Sequence, residues 1–371
     1  MSQSQPRYLR IYKEILQQIH NQTYLPGDFL PTEAELCQKY EASRPTIARA
    51  LKLLSDQKLV VRKAGFGTQV LAPRKSGLLA GLLIPQLSEI EIFKPISASI
   101  AEASGIGGMR VVLPSELNFS DNLKKRTNSL VEQLLEAKVK GVFFAPTEHL
   151  ENPAEFNAGV IERLTSEGVR VVLIDRDIYR WPRQTKNDLV SIDNIEAGYA
   201  VATHLLQEGC KRLVFVTREN PAVTVQLRRM GCREALTQHG LQPSSLLTVT
   251  DSSSHPGKAA SELFASGADG IICSNDRTAG PILRGLLDQG ADIPGKVKVC
   301  GFDDVQYASL LSVPLTTYRQ PVRDIGRVAA ELMMHRIKYP DTPFQRVTLQ
   351  GQLIVRQSTD SRAKAEQSTS A

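Results

Sequence analysis

The sequence predicts an α/β protein in two parts: a small helical module closed by a hairpin, then a larger body built on parallel sheets. Three observations lead there. The formal charge of +6 on 371 residues is concentrated at one end. The first seventy residues carry apolar positions at helical spacing, ending in a glycine-tipped pair of short strands. Beyond them, short apolar runs alternate with amphipathic stretches, the pattern of strand–helix units.

Residues 1–76 hold twelve lysines and arginines against six acidic residues, whereas the remaining 295 residues hold 33 of each. A basic module on a neutral body is an electrostatic footprint for a polyanion. With 42% hydrophobic and 23% charged residues the chain is not mainly disordered. Its longest apolar stretches, such as Leu78–Pro85, are too short to span a bilayer. The opening MSQSQPRYLR has no apolar core and does not read as a signal peptide. Five scattered cysteines (Cys37, Cys210, Cys232, Cys273, Cys300) suit a reducing cytosol and argue against a disulfide scaffold or a zinc site. The expected location is cytoplasmic, with no membrane, metal or cofactor.

In the basic module a first helix runs from about Tyr8 to Asn21, with Ile11, Ile15 and Ile19 on one face. Leu25-Pro26-Gly27-Asp28 ends it. Thr32 followed by Glu35 forms a capping box that starts a second helix, through Tyr40. After Glu41-Ala42, Ser43 is placed as N-cap of a third helix. There Ile47, Ala50, Leu51 and Leu54 follow the spacing i, i+3, i+4, i+7 and face inward. Thr46, Arg49 and Lys52 then face outward, with Arg44 and Pro45 at the exposed N-terminal end, where free backbone N–H groups suit a phosphate. This is a helix-turn-helix whose last helix fits a major groove. Leu59–Lys63 and Thr68–Leu71 pair as strands about Ala64-Gly65-Phe66-Gly67, making a wing.

The segment from about 8 to 72 resembles the winged-helix domain of GntR-type bacterial regulators. The matching residues are Leu25-Pro26-Gly27-Asp28, Leu30-Pro31-Thr32-Glu33, Ser43-Arg44-Pro45-Thr46-Ile47, Ala50-Leu51 and Gly65-Phe66-Gly67-Thr68. The resemblance implies that Ser43, Arg44, Thr46, Gly65 and Gly67 approach DNA. With Thr32, Pro45, Arg49 and Phe66 they form the candidate DNA face. Ala34 and Ala48 stand where many relatives carry arginine, so those two contacts are absent.

Residues 1–71 are assigned to this domain, 72–77 to a linker, 78–358 to the body and 359–371 to a disordered tail. In the body, strands are expected at Leu78–Ile84, Arg110–Leu113, Gly141–Ala145, Val169–Ile174, Leu213–Thr217, Gly270–Cys273 and Val297–Gly301, arranged as two lobes. Ligands bind at the carboxyl ends of such strands. The residues found there are polar: Asp175-Arg176-Asp177, Thr217-Arg218-Glu219-Asn220, Ser274-Asn275-Asp276 and Gly301-Phe302-Asp303-Asp304, with Arg228 opening a helix. Such donors and acceptors suit a polyhydroxylated ligand, although Asp and Asn equally cap the helices that follow.

The body resembles the effector domain of LacI/GalR-type repressors, a two-lobed periplasmic-binding-protein-like fold. Gly81–Pro85, Val172–Arg176, Asp193-Asn194 with Gly198, Arg228 with Gly231, Cys273–Asp276, Gly301–Asp304, Pro314–Thr317 and Leu353–Arg356 carry the likeness. It implies that Asp175, Arg228, Asn275 and Asp303 hydrogen-bond a sugar; the loop after the first strand, Ser88–Phe93, departs from the family pattern, and there Phe93 is expected as an apolar wall, with Glu91 and Glu148 as further acceptors. A GntR-type domain joined to a LacI-type domain is the arrangement of arabinose repressors of the AraR type. The implied protein is a sugar-responsive transcription regulator, a homodimer on a palindromic double-stranded operator released by arabinose or a related sugar. The competing class is an α/β enzyme on a sugar or nucleotide. Against it, there is no GxxxxGK[ST], HExxH or GxSxG, and Gly105-Ile106-Gly107-Gly108 follows a helix instead of a strand.

Overall fold

The computed structural model describes residues 6–20, 23–56, 59–63, 66–71, 78–115, 122–252, 255 and 257–360. The expected linker at 72–77 and the wing residue Gly65 lie outside them. The described chain separates into two compact units, the first taking in the residues up to Leu78 together with Gly105–Met109.

The first unit contains α1 (Arg7–His20), α2 (Glu33–Lys39), α3 (Arg44–Asp56) and the antiparallel pair β1 (Val60–Lys63) and β2 (Gly67–Val70). The expected inward set is buried: Ile47, Ala50, Leu51 and Leu54 of α3 pack with Ile11 and Ile15 of α1, Leu36 of α2, and Val60 and Val70 of the hairpin. The capping box forms in both directions: Glu35 N–H donates to Thr32 Oγ1 at 3.3 Å and Thr32 N–H donates to Glu35 Oε2 at 2.7 Å.

The second unit has two six-stranded sheets. One lobe contains β3 (Leu79–Leu83), α4 (Phe93–Ile106), β4 (Arg110–Val112), α5 (Leu123–Glu136), β5 (Gly141–Phe144), α6 (Pro153–Ser166), β6 (Arg170–Ile174) and β7 (Asp188–Ile192). The chain then crosses to the other lobe through α7 (Asn194–Gln207), β8 (Leu213–Arg218), α8 (Val223–Gln238), β9 (Leu247–Asp251), α9 (Ala260–Ser266), β10 (Gly270–Cys273), α10 (Asp276–Asp288), β11 (Lys298–Asp303) and β12 (Thr316–Arg319). It returns through α11 (Val322–Lys338) and β13 (Arg346–Leu349), and crosses a third time to β14 (Gln352–Ile354). The sheet orders are β13-β7-β6-β5-β3-β4, all parallel, and β14-β12-β11-β10-β8-β9, parallel except for β14. All seven expected strands are present to within one or two residues at either end. Strands β7, β9 and β12 to β14 were not anticipated.

Two helix pairings fix the frame. Helices α7 and α8 meet at reciprocal glycines: a Cβ on Gly198 would lie 1.9 Å from the Arg228 carbonyl oxygen, and one on Gly231 1.9 Å from that of Ile195. Helix α11 lies over the first sheet, where Gly141 makes room for Met333. There Arg336 forms a buried pair with Asp188, donating Nε at 2.7 Å and NH2 at 2.9 Å.

The tail assignment needs correction at its start. Thr359 is fully buried; its hydroxyl meets Thr316 Oγ1 at 2.7 Å and His204 Nε2 at 2.8 Å. Ser358 donates to the Val299 carbonyl and accepts from Thr316 N–H. A residue assigned to a disordered tail is thus bonded into the second lobe, with His204 as one of its partners. Residues 361–371 lie outside the described residues.

The glycine contact predicts a specific failure. Gly198→Ala should destabilise the second unit by about 3 kcal/mol, because backbone cannot yield as a side chain does. A drop in the midpoint of urea unfolding checks it; an unchanged midpoint would refute the close approach.

Candidate functional site

The carboxyl ends of β3, β5, β6, β8, β10 and β11 bring the polar loops together between the two lobes. A cavity of about 90 Å³ there is lined by Glu91, Glu148, His149, Asn275, Arg277 and Asp303, among others. A second, of about 420 Å³, continues along Glu148, Arg176, Asp177 and Asn220.

On the second lobe the centre is Arg228. Its guanidinium is 5% exposed, donates to Asn194 Oδ1 at 3.0 Å, to the Ser274 carbonyl at 2.7 Å and to Asp303 Oδ1 at 3.3 Å, and lies over the Phe302 ring. Gln320 Nε2 donates to the same Asp303 oxygen at 2.7 Å. Burial raises the Asp303 carboxyl above its ordinary range; Arg228 and Gln320 oppose the rise, and Asp175 on the facing lobe adds to it. Asn275 caps α10, its Oδ1 accepting from Thr278 N–H at 2.9 Å. It therefore meets both readings made of it, capping a helix and lining the cavity.

On the first lobe the centre is Arg176, which the sequence reading had not selected. It donates to Asp175 Oδ2 at 2.8 Å and to Glu148. Burial alone would raise Glu148, but the Arg176 charge and His149 override it and hold the carboxyl at about 2. Phe93 does not form the expected apolar wall: it is 2% exposed, behind the Arg176 guanidinium, and Ile90 lines the cavity instead. Asp175 and Asp303 sit at strand ends with φ of +69° and +104°. Side chains rarely adopt this left-handed backbone, and such strain gathers at functional sites.

Two cross-lobe bonds close the mouth. Arg277 donates to the Glu89 carbonyl, and His149 Nδ1 lies 3.0 Å from the Glu219 carbonyl. His149 Nε2 faces Glu148 Oε1 at 3.3 Å, so both ring nitrogens face acceptors. Sequence reasoning named Arg176 and Asn194 without giving either a role in the site, and missed His149, Gln320 and Arg277. Gln320 follows β12 immediately, and recognising that strand would have found it.

In the first unit, Arg44 and Pro45 are exposed at the start of α3, and Phe66 at the hairpin tip is 77% exposed. Ser43 accepts the first helical bonds through its carbonyl, and its hydroxyl bonds to that of Thr46 at 2.8 Å. Thr32 Oγ1 is engaged with Glu35. Arg49 stacks on Tyr8 of α1, 4.1 Å from the ring centroid, and Arg62 pairs with Glu33. Gly67 adopts φ of +106°.

Comparison with known proteins agrees with this division. Residues 7–70 match the bacterial regulatory proteins of the gntR family, and residues 202–359 match a periplasmic binding protein-like domain. One chain thus joins a segment matching the gntR family of bacterial regulatory proteins to a segment matching a periplasmic binding protein-like domain. It is 25% identical to the arabinose metabolism transcriptional repressor of Geobacillus stearothermophilus, over 95% of this chain and 98% of that one. It is 27% identical to the ribose operon repressor of Bacillus subtilis, over 71% of this chain and 76% of the relative. A LacI family regulator from Enterococcus faecium, solved with bound ribose, superposes with a TM-score of 0.63 over 76% of this chain and 98% of its own, at 23% identity. These relatives are named as transcription regulators or repressors. No helix among the described residues is long and apolar enough to cross a membrane.

The His149 contact carries a pH dependence of defined sign. Burial disfavours its charge, but Glu148 and the Glu219 carbonyl outweigh this and raise its pKa. The stability it contributes is complete below the ordinary value near 6.5 and is lost as pH rises through the raised value. The melting temperature should fall as pH rises above about 6.5, and His149→Phe should flatten that slope. An equal slope in the variant would count against the contact.

Proposed function

We propose that this protein is a sugar-responsive repressor: a homodimer that holds a palindromic operator and releases it when a pentose, arabinose or a close relative, binds between the lobes. The observation that carries the reading is the pairing of two surfaces of different character. One is a basic helix start and hairpin; the other is a buried set of matched donors and acceptors at strand ends, electrically near balance, suited to an uncharged polyol. The arabinose and ribose regulators among its relatives support a pentose.

In this reading Ser43, Arg44, Pro45, Thr46 and the wing residues Gly65, Phe66 and Gly67 face the operator, with Thr32 and Arg49 setting the attitude of the helices. Arg228, Asn275 and Asp303 receive the sugar on one lobe, with Glu148 and Asp175 on the other. Two domains in a dimer would occupy successive half-sites. Sugar binding favours one lobe arrangement over the other, and that difference in affinity is the whole of the signal.

Two outcomes are expected. DNA from upstream of the protein's own gene should bind with log K falling linearly against log salt, and Arg44→Ala should remove the binding without altering a sugar response. Salt-independent binding would count against the regulator reading. In a thermal-shift series arabinose or ribose should stabilise the chain, by about 2.7 kcal/mol at 100 times Kd, and Asp303→Ala should abolish the shift while leaving DNA binding intact. A shift that survives Asp303→Ala would refute the site assignment.

A further inference from the structure

A further cavity lies on the second lobe, at the ends of β8 and β9 and the first turns of α8, and shares part of its lining with the two interlobe cavities. It measures about 500 Å³ and is lined by Thr217, Arg218, Arg229, Thr248 and Thr250, with Glu219 the one acid on its wall. The volume falls in the range of small-molecule sites. Thr217 and Thr250 are register partners across the two strands, so their hydroxyls lie side by side.

About half of the domain's arginines are already paired. Arg126, Arg163, Arg176, Arg228, Arg336, Arg346 and Arg356 each hold a carboxylate. Among the described residues, Arg218, Arg229, Arg233 and Arg180 hold none. Arg229 has the Thr248 hydroxyl at 3.4 Å. Arg180 reaches the Gln226 amide oxygen, at 3.0 and 3.3 Å with the amide turned to present it. Asp251 at the end of β9, the register partner of Arg218, is turned inward and occupied by the N–H groups of Gly257 and Ala259. Burial, then the neighbouring cations Arg233 and Arg180, push Arg229 below its ordinary pKa. Arg218 and Arg229 outnumber the single acid Glu219, and with hydroxyl donors beside them they are arranged for an anion with several acceptor oxygens.

We propose that this cavity binds a small phosphate monoester, as a second ligand site distinct from the interlobe cavity. Arg229 and Arg218 take the phosphate oxygens, and Thr217, Thr248 and Thr250 complete the shell. Thr217, Arg218 and Val225 line both this cavity and the interlobe one. Occupation here therefore bears on the second lobe's half of the sugar site, and the influence is reciprocal.

The test is calorimetric titration of the full chain, at constant ionic strength, with inorganic phosphate and with ribose 5-phosphate. Both should bind, the ester more tightly, and Arg229→Gln and Arg218→Gln should each weaken binding at least tenfold. Unliganded melting temperature and operator binding should remain those of the unaltered protein, which separates loss of the site from loss of fold. Absence of binding at about 10 mM, or unchanged affinity in Arg229→Gln, overturns the proposal. The same titration on Asp303→Asn locates the ester: retained affinity places it outside the interlobe cavity, and loss of affinity moves it inside and overturns the proposal.

Discussion

Arg228 is a buried cation whose environment has to be complete before it can exist. A guanidinium taken out of water is tolerated when its hydrogens are met by fixed acceptors. Here Asn194, the Ser274 carbonyl and Asp303 meet them, and each comes from a different element: the start of α7, the end of β10 and the end of β11. Four parts of the second lobe are thereby held to one point. The arrangement in turn requires α8 to lie against α7 at backbone distance, which only Gly198 and Gly231 permit. The glycines are thus part of the site although neither lines it.

The DNA-facing unit was legible in the sequence because its determinants are local. A capping box, a four-residue apolar repeat and a glycine turn are each complete within a dozen residues. The central strands of the larger unit were legible for a related reason, being continuous apolar runs buried on both faces. The strands that went unread lack that signature. β7 opens with Asp188, acceptable inside only because Arg336 arrives from α11. β9 is an edge strand with exposed Leu247, Thr248 and Thr250. β12 is threonine-rich, and Thr316 is satisfied by Ser358 and Thr359 from some forty residues away.

The same division explains the site. Inspecting the residues after each strand found Asp175, Asn275 and Asp303, because that rule depends only on locating strands. It could not rank Arg176 above Phe93, since which of them faces the cavity is settled by Glu148 and Asp175 drawing the guanidinium across the ring. Nor could it find His149, whose role depends on a carbonyl seventy residues later on the opposite lobe. Long-range partnership is the part of the structure that local pattern does not carry.

The chain passes between the lobes three times, near 193, 320 and 350. Each lobe is consequently discontinuous, completed by strands and a helix supplied late in the sequence. No single cut can release one lobe whole, and neither can be inherited without the other. The three helices and the hairpin of the DNA-binding unit, by contrast, follow one another in the sequence and end before β3 begins. Recombination between genes could replace the head in a single exchange, whereas the two lobes must travel together as one indivisible cassette.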